Sequence, residues 1–523
     1  MSLVHPPPSD DRVDKAALLK RIAEQEQANL ELEQQLALLK EQIAWFRKQV
    51  FGRSSEKQST DANPRQGQLF NEVEAIAVRN PDADEAVAIP AHTRKKKGRK
   101  PIPKDLPRVD VIHDLPEDGK ICGHDGQALT KIGEVVSEQL DFVPAKLRVL
   151  RHIRYKYVCR HCESAPITAE RPVTLLPKSL ASPSLLAHIT TAKYVDGLPL
   201  YRQERQFERL GIALNRTTMA NWMVKLGEAV QPLIERLDEA CRGSPLLHMD
   251  ETKIQVLKSP KAPTADHWVW VRVAGVPKQR VVLFDYDPSR GREAPTRLLK
   301  DFGGILVTDG YPVYDGIATA NELRHAGCWA HARRKFHDAH QLAGQAPSTA
   351  KQALTYIGQL YRIEKRLKQK HRRQRSLSAA AIKADILQER DKASAAVLTE
   401  FQAWLEQIAP QVLPKSTLGK AVFYTLEQWP KLTTFLEHAE VPLDNNRAES
   451  AIRPYVVGRK AWLFCDTQAG AIASTNLYSL VETAKANGKE PHAYLAALYR
   501  QLPTADTSDA IDALLPWNID LND

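Results

Sequence analysis

The chain has 523 residues, too many for one hydrophobic core, so three or more domains are expected. With 43% hydrophobic residues it is not a disordered protein as a whole, and six cysteines over this length exclude a disulfide framework. Lys and Arg total 73 against 63 Asp and Glu, a formal charge of +10 that favours polyanionic partners.

Residues 1–13 are polar and Pro-rich, with no signal peptide, and no run of about 18 apolar residues follows anywhere. The expected location is therefore the cytoplasm, associated with the nucleoid, with no membrane partner. Residues 14–51 carry a heptad pattern. With Ile22 at an a position, a falls on Asn29, Leu36, Ile43 and Val50, and d on Leu18, Gln25, Leu32, Leu39 and Phe46. From Leu32 onward every seam position is apolar, and Asn29 at a would fix register and favour a dimer, so a homodimer through this zipper is expected. A single helix packed on its own domain is the alternative.

Residues 52–108 lose all periodicity and read as a linker. It ends in Arg94, Lys95, Lys96, Lys97, Arg99 and Lys100, six cations in seven residues, an arm suited to tracking phosphates or entering a minor groove. Residues 109–175 form a small module with β-like segments at Val109–His113 and Lys146–Val158. Cys159 and Cys162 have the spacing of a zinc knuckle, and upstream stands Cys122 with His124 or Asp125 as the fourth candidate ligand. A finger that keeps its fold without metal is the alternative.

Residues 182–240 read as a helix-turn-helix, with helices Ser184–Tyr194, Leu200–Arg209 and Arg216–Val230, the last capped by Asn215. Trp222 and Leu226 would face inward, while Arg216, Thr217, Thr218 and Asn221 would lie where base edges are read. A plain three-helix packing unit fits the same pattern.

From residue 245 to about 475 the text is α/β. Strands are expected at Leu246–Leu257, Trp268–Val273 and Arg280–Phe284, a helix at Glu293–Lys300, and a fourth strand at Gly304–Thr308. Asp250 sits on the first strand and Asp309 at the end of the fourth, 59 positions later. Three strands, a helix and a fourth strand is the order of a ribonuclease-H-like fold, in which strands one and four are neighbours. A third carboxylate should come from a late helix, and Glu449 in Asp444–Arg453 offers it, with Asp444 as cap and Arg447 and Arg453 turned to phosphates. In-line phosphodiester cleavage needs charge neutralised on the attacking and leaving oxygens, which two cations about 3.5–4 Å apart supply. Mg2+, or Mn2+, accepts such oxygen ligands.

Glu251 would point to the opposite face of the strand from Asp250, and Asp285 and Asp287 read as turn residues. Cys328 and His331 have metal-like spacing without a second pair and read as buttresses of the site. Residues 338–438 form an all-α insertion, in which Arg362–Arg375 holds eight cations. It either clamps DNA or is a solvated hairpin.

The sequence resembles the insertion-sequence-66 family of transposases over nearly its whole length. The resemblance is carried by Phe51–Lys57, by Ile132–Glu134 through Cys162, and by Asp250-Glu251-Thr252 and Thr308–Tyr311. Gly327–Phe336, which includes the cations Arg333, Arg334 and Lys335, and Asp444–Pro454 are the most specific parts, and Tyr478–Lys485 in the C-terminal region 476–515 completes it. It implies Asp250, Asp309 and Glu449 as a metal-binding acidic triad, zinc in the finger, and DNA ends and target DNA as substrates. It also implies small accessory proteins of the same element. One departure stands out: the family's first finger pair is CxxC, and Asp125 occupies the second cysteine's place. The expected activity is binding of terminal inverted repeats, cleavage and strand transfer. A DNA-binding regulator or inactive copy, and a nuclease that hydrolyses without joining, remain the alternatives.

Overall fold

A computed structural model describes residues 167–521 except 344–347 and 375–376. Ahead of these it describes residues 19–29, 108–112, 147–157 and isolated positions within 32–43 and 120–139. The basic arm Arg94–Lys100 and the candidate zinc ligands Cys122, His124, Asp125, Cys159 and Cys162 lie outside the described residues. Residues 53–153 form one unit, and the rest of the chain another.

In the smaller unit residues 108–112 form no strand, so the β-segment expected there is not found. In the larger unit residues 19–29 are helical, and the seam residues Ile22, Leu32, Leu36, Leu39 and Ile43 are all exposed in the single chain. Of the second expected β-segment, only Lys156–Tyr157 (β1) is a strand among the described residues, paired with Ile167–Thr168 (β2).

Four helices follow: Pro183–Tyr194 (α1), Leu200–Arg209 (α2), Arg216–Ala229 (α3) and Gln231–Arg242 (α4). Ser182 caps α1 and Asn215 caps α3, each accepting an N–H of the first turn. Trp222 and Leu226 are buried.

The sheet is built on Leu246–Lys258 (β3), with Asp266–Val276 (β4) and Gln279–Asp287 (β5) antiparallel on one side. Glu293–Leu298 (α5) then leads to Ile305–Val307 (β6), which runs parallel to β3 on its other side. Pro312–Ala320 (α6) precedes Arg324–Ala326 (β7), parallel to β6 at the sheet end. The order is β5-β4-β3-β6-β7, so the strand bearing Asp250 is central. β3 and β6 are buried without interruption where they pair, because both faces there are covered, and the one polar residue in the pairing, His248, is bonded to Asn445.

Asp285 and Asp287 are not turn residues, because β5 extends through both. Asp285 receives two hydrogen bonds, each at 3.0 Å, from Arg272, a buried guanidinium on β4 that also pairs with Asp238 of α4. A cation inside the sheet requires such partners, and Asp285 is one of them.

Trp329–Ala343 (α7), Thr349–Arg373 (α8), Ala379–Glu389 (α9), Ala395–Ile408 (α10), Thr417–Glu427 (α11) and Trp429–Thr433 (α12) make the helical region after β7. It is more than a solvated hairpin. Trp329, Phe336, Ile357, Leu360 and Phe401 form a core continuous with Leu246, Ile305 and Val307 of the sheet. Buried Arg390 follows α9 and spends all five of its N–H donors. Two go to Glu364 on α8 and three to the carbonyls of Phe435, His438 and Val441. The loop that leads to Asp444 is thereby tied to the helical region.

Asn446–Trp462 (α13), Cys465–Thr467 (β8), Gln468–Ala486 (α14), Pro491–Gln501 (α15) and Ser508–Ala513 (α16) close the chain. β8 extends the far end of β3 in parallel. α14 runs along the exposed edge of β5 and satisfies its main-chain groups with side chains. Ser479 accepts from Phe284 N at 2.8 Å, Thr483 from Val282 N at 3.0 Å and Asn487 from Arg280 N at 3.0 Å. Helical residues four apart rise about 6 Å, and strand residues two apart about 6.7 Å, so the two repeats keep step over three pairs. An edge that would otherwise invite pairing is sealed.

These last helices share a core with α1–α4. Thr190 on α1 meets Tyr499 on α15, and Asn476 on α14 donates to Gly227 O of α3 at 2.9 Å. A division of the chain at 475/476 would fall inside α14, and one near 240 would cut the core that joins α1–α4 to the sheet.

Candidate active site

Two aspartates reach one place because β3 and β6 are parallel and adjacent. His248 is in register with Val307, and each is followed two residues later by an aspartate, Asp250 or Asp309, at the same end of the pair. Asp309 follows the end of β6, where its carboxylate accepts the Tyr311 N–H at 2.9 Å. Gly310 between them leaves room for the Tyr424 ring of α11: a Cβ there would lie 2.6 Å from it, and the ring would have to shift.

The third carboxylate arrives on α13. Buried Asn445, just before this helix, is bonded three ways. Its amide donates to Met249 O at 2.7 Å, its side-chain oxygen accepts from His248 Nδ1 at 3.0 Å, and its main-chain N–H reaches Cys328 Sγ at 3.3 Å. The first contact is on the residue beside Asp250, so the start of α13 is stapled to the part of β3 that carries this aspartate. Glu449 then follows in the first helical turn, its N–H donating to Asn445 O at 3.1 Å. Asp444 precedes the N-cap position, which Asn445 occupies, yet its carboxylate serves the first N–H of the helix. It accepts from Asn446 N at 3.2 Å and from Tyr361 OH of α8 at 3.2 Å.

The electrostatics record the convergence. Burial first, and then the charges of Glu251, Asp309 and Glu449, hold the Asp250 carboxyl well above its ordinary range. Asp309 and Glu449 lie near enough for the Asp250 carboxyl to sense their charge, and among the described residues no side-chain cation is in an ion pair with Asp250 or Asp309. That donor set fits a hard divalent cation.

Glu251 is already spent elsewhere. It is buried, accepts from Arg290 at 2.6 Å and 3.0 Å, and from Tyr314 OH at 2.7 Å. Arg290 in turn lies over the rings of Trp268 and Tyr311. Cys328, His331 and Glu449 also bring ligand atoms within 4.8 Å of one another. Burial pushes the Cys328 thiol up to about 12, and its sulfur accepts the Asn445 N–H. His331 Nδ1 stands 3.7 Å from Glu449 Oε1, and burial lowers its pKa.

The other residues singled out in the sequence lie as follows. Arg334 reaches within 3.9 Å of Glu449, Arg333 is exposed beside it, and Lys335 sits 4.5 Å over the Tyr424 ring. Arg447 and Arg453 are exposed on α13. Arg216, Thr217 and Asn221 are exposed along the first turns of α3, with the Arg216 N–H held by Glu204 at 2.9 Å. Asn445 escapes a role in the sequence reading, as do Arg290, Tyr314 and Tyr361, because each acts on a residue remote in the chain.

A match to the family described as "Transposase IS66 family" covers residues 178–473, more than half of the chain. The chain belongs to the IS66 transposase family. Three further IS66-type segments match: a zinc-finger binding domain at 120–163, "Transposase C of IS166 homeodomain" at 38–111, and a C-terminal element at 479–517. The y4jD protein of Sinorhizobium fredii is 32% identical over 496 residues, covering 92% of this chain and 94% of that protein. The y4qI protein of the same organism is 33% identical over 437 residues, covering 81% of this chain and 78% of that protein. A transposase role with DNA as partner follows from membership of the IS66 family. The family also implies a divalent metal for the transposase domain and zinc for the finger. No described helix is long and apolar enough to cross a membrane.

Proposed function

We propose that this IS66-family chain cleaves the ends of an insertion element and joins them to target DNA, using Asp250, Asp309 and Glu449 as a metal-holding triad on a ribonuclease-H-like core. The observation that supports the reading is the register of His248 with Val307, which sets Asp250 and Asp309 at one end of the central strand pair, together with the Asn445 bond that ties the start of the Glu449 helix to Met249. A pair of Mg2+ or Mn2+ ions held there would neutralise the attacking and leaving oxygens of the phosphodiester.

The chain's own residues do the rest. Asn445 and Cys328 hold α13 so that Glu449 faces the aspartates, and Tyr311 N–H orients Asp309. The Arg290–Tyr314 cage keeps Glu251 out of the triad. Arg333, Arg334, Lys335, Arg447 and Arg453 attract the phosphates that flank the scissile bond. End recognition is assigned to Arg216, Thr217 and Asn221 on α3 and to the basic arm Arg94–Lys100. The finger adds Cys122, Cys159 and Cys162, with Asp125 completing a weaker zinc site than four thiolates would make. Pairing of two ends is assigned to a homodimer through the zipper, whose exposed seam in the single chain calls for a second helix.

The test is a strand-transfer assay with labelled element-end DNA and Mg2+ or Mn2+. Joined products should form with the wild type and vanish with Asp309→Asn and with Glu449→Gln. Cleavage without joining by the wild type would make the chain a hydrolysing nuclease. Products that survive both substitutions would remove the triad.

A further inference from the structure

The established family membership says nothing of what the basic half of α8 does, and its placement is specific. Tyr361, Lys365, Lys368 and Arg372 recur at i, i+4, i+7 and i+11, which puts them in one row along the helix. The row begins at the candidate active site: Tyr361 OH donates to Asp444 at 3.2 Å, five positions before Glu449. Lys365, Lys368 and Arg372 are exposed, and among the described residues none of the three enters an ion pair. The apolar row Leu360, Ile363 and Leu367 is buried on another face and fixes the helix against the core. α9 covers a different side again, where Asp385 binds Lys370 and His371.

At the active-site end the row is continuous with α7. Arg334 stands 3.9 Å from Glu449, and Arg333 lies near enough to Tyr361 for the phenol to sense its charge. The Arg390-centred clamp holds α8 in place, since Glu364 in the same turn region takes two of that guanidinium's hydrogen bonds. The cations are therefore presented on a fixed rod and not on a loose arm.

We propose that the Lys365–Lys368–Arg372 row is a phosphate rail that holds duplex DNA leading away from the scissile bond. From Tyr361 to Arg372 the helix rises about 16 Å, which corresponds to roughly five base-pair steps of one strand. Contacts of this kind position the duplex without reading its sequence. The rail aligns the backbone so that the scissile phosphate is delivered to the carboxylates at the helix's other end. This inference rests on the reading of the chain as a DNA-cutting enzyme.

The experiment measures binding of a fluorescein-labelled duplex, carrying the element end and its flanking DNA, across a salt series. Wild type is compared with the triple variant Lys365→Gln, Lys368→Gln, Arg372→Gln. A charge-matched control carries Lys278→Gln, Lys300→Gln and Lys415→Gln. Each phosphate contact contributes about 0.9 to the slope of log affinity against log salt. The rail variant should lose roughly two to three units of slope and bind the duplex at least about tenfold more weakly at about 0.15 M salt. The control should keep the wild-type slope. Hydroxyl-radical footprinting should also show protection lost over roughly five nucleotides on one side of the cleavage position, the span of the rail. Equal slopes for wild type and rail variant, with cleavage intact, would overturn the rail and leave the proposed function standing. Absence of duplex binding by the wild type would overturn both. A slope lost equally in the control would show bulk charge, not a rail.

Discussion

The side-chain amide of Asn445 donates to the main-chain carbonyl of Met249 at 2.7 Å, across 196 positions of sequence. This bond, with the His248 and Cys328 contacts of the same residue, is what turns a helix that begins after a long α-helical excursion into part of the strand-end site. Replacing Asn445 by Ala should leave the Met249 carbonyl and the His248 Nδ1–H without their partner, a cost of about 1–3 kcal/mol per buried group. A small shift of Glu449 should follow, and misplacement on the order of 1 Å costs about a hundredfold in rate. The check is paired: urea unfolding for stability, and cleavage rate against metal concentration. Loss of stability with unchanged cleavage would make Asn445 merely structural.

The raised pKa of Asp250 has a consequence for stability. Burial is the largest cause, and the neighbouring carboxylates add to it. An acid whose folded-state pKa is raised above its unfolded value is protonated in both states at low pH and costs stability as pH rises towards and through the folded value. Metal-free protein should thus carry a penalty at neutral pH that Asp250→Asn removes. In chelator at about pH 7.5 the variant should melt a few degrees above wild type, and near the ordinary aspartate pKa, about pH 4, the two should converge. Under the proposed triad, added Mn2+ should raise the melting temperature of wild type and not of the variant. A variant less stable than wild type in chelator would contradict this.

Arg390 makes five hydrogen bonds from a buried position. Lysine has three donors and no planar fork, so Arg390→Lys cannot replace it. Breaking a buried pair of this kind costs about 3–5 kcal/mol. Chemical denaturation should show that loss, and limited proteolysis should cut first in residues 435–441, the loop that the guanidinium holds.

Thr483→Val tests the sealed edge of β5. The change keeps the shape but removes the oxygen that serves both Val282 N and Val282 O at 3.0 Å. The expected loss is about 1–3 kcal/mol, with faster aggregation because the edge regains a free N–H and C=O. Hydrogen exchange at Val282 should accelerate while that at Val271, in the sheet interior, stays slow.

Much of this protein is legible in its residues. Asn215 as a cap, Trp222 and Leu226 as inward positions, and the strands carrying Asp250 and Asp309 can all be read from local pattern. These are short-range signals: a capping side chain serves backbone groups within a turn, and alternation of apolar residues reports which face of one element is buried. The adjacency of β3 and β6 is likewise implied by the succession of strands and helix. Asp285 misleads because the end of a strand is set by its neighbour. Arg272 on β4 draws Asp285 into the sheet, and nothing near Asp285 announces it.

The matches between distant segments belong to the folded core alone. Asn445 meets Met249, Tyr361 meets Asp444, and Ser479, Thr483 and Asn487 meet every second residue of β5. Each is a polar group satisfied by a partner hundreds or scores of positions away. Local sequence specifies that such a group needs a partner, because an unpaired one is costly when buried. Which partner it finds depends on how the packed elements lie, and that is a property of the whole core.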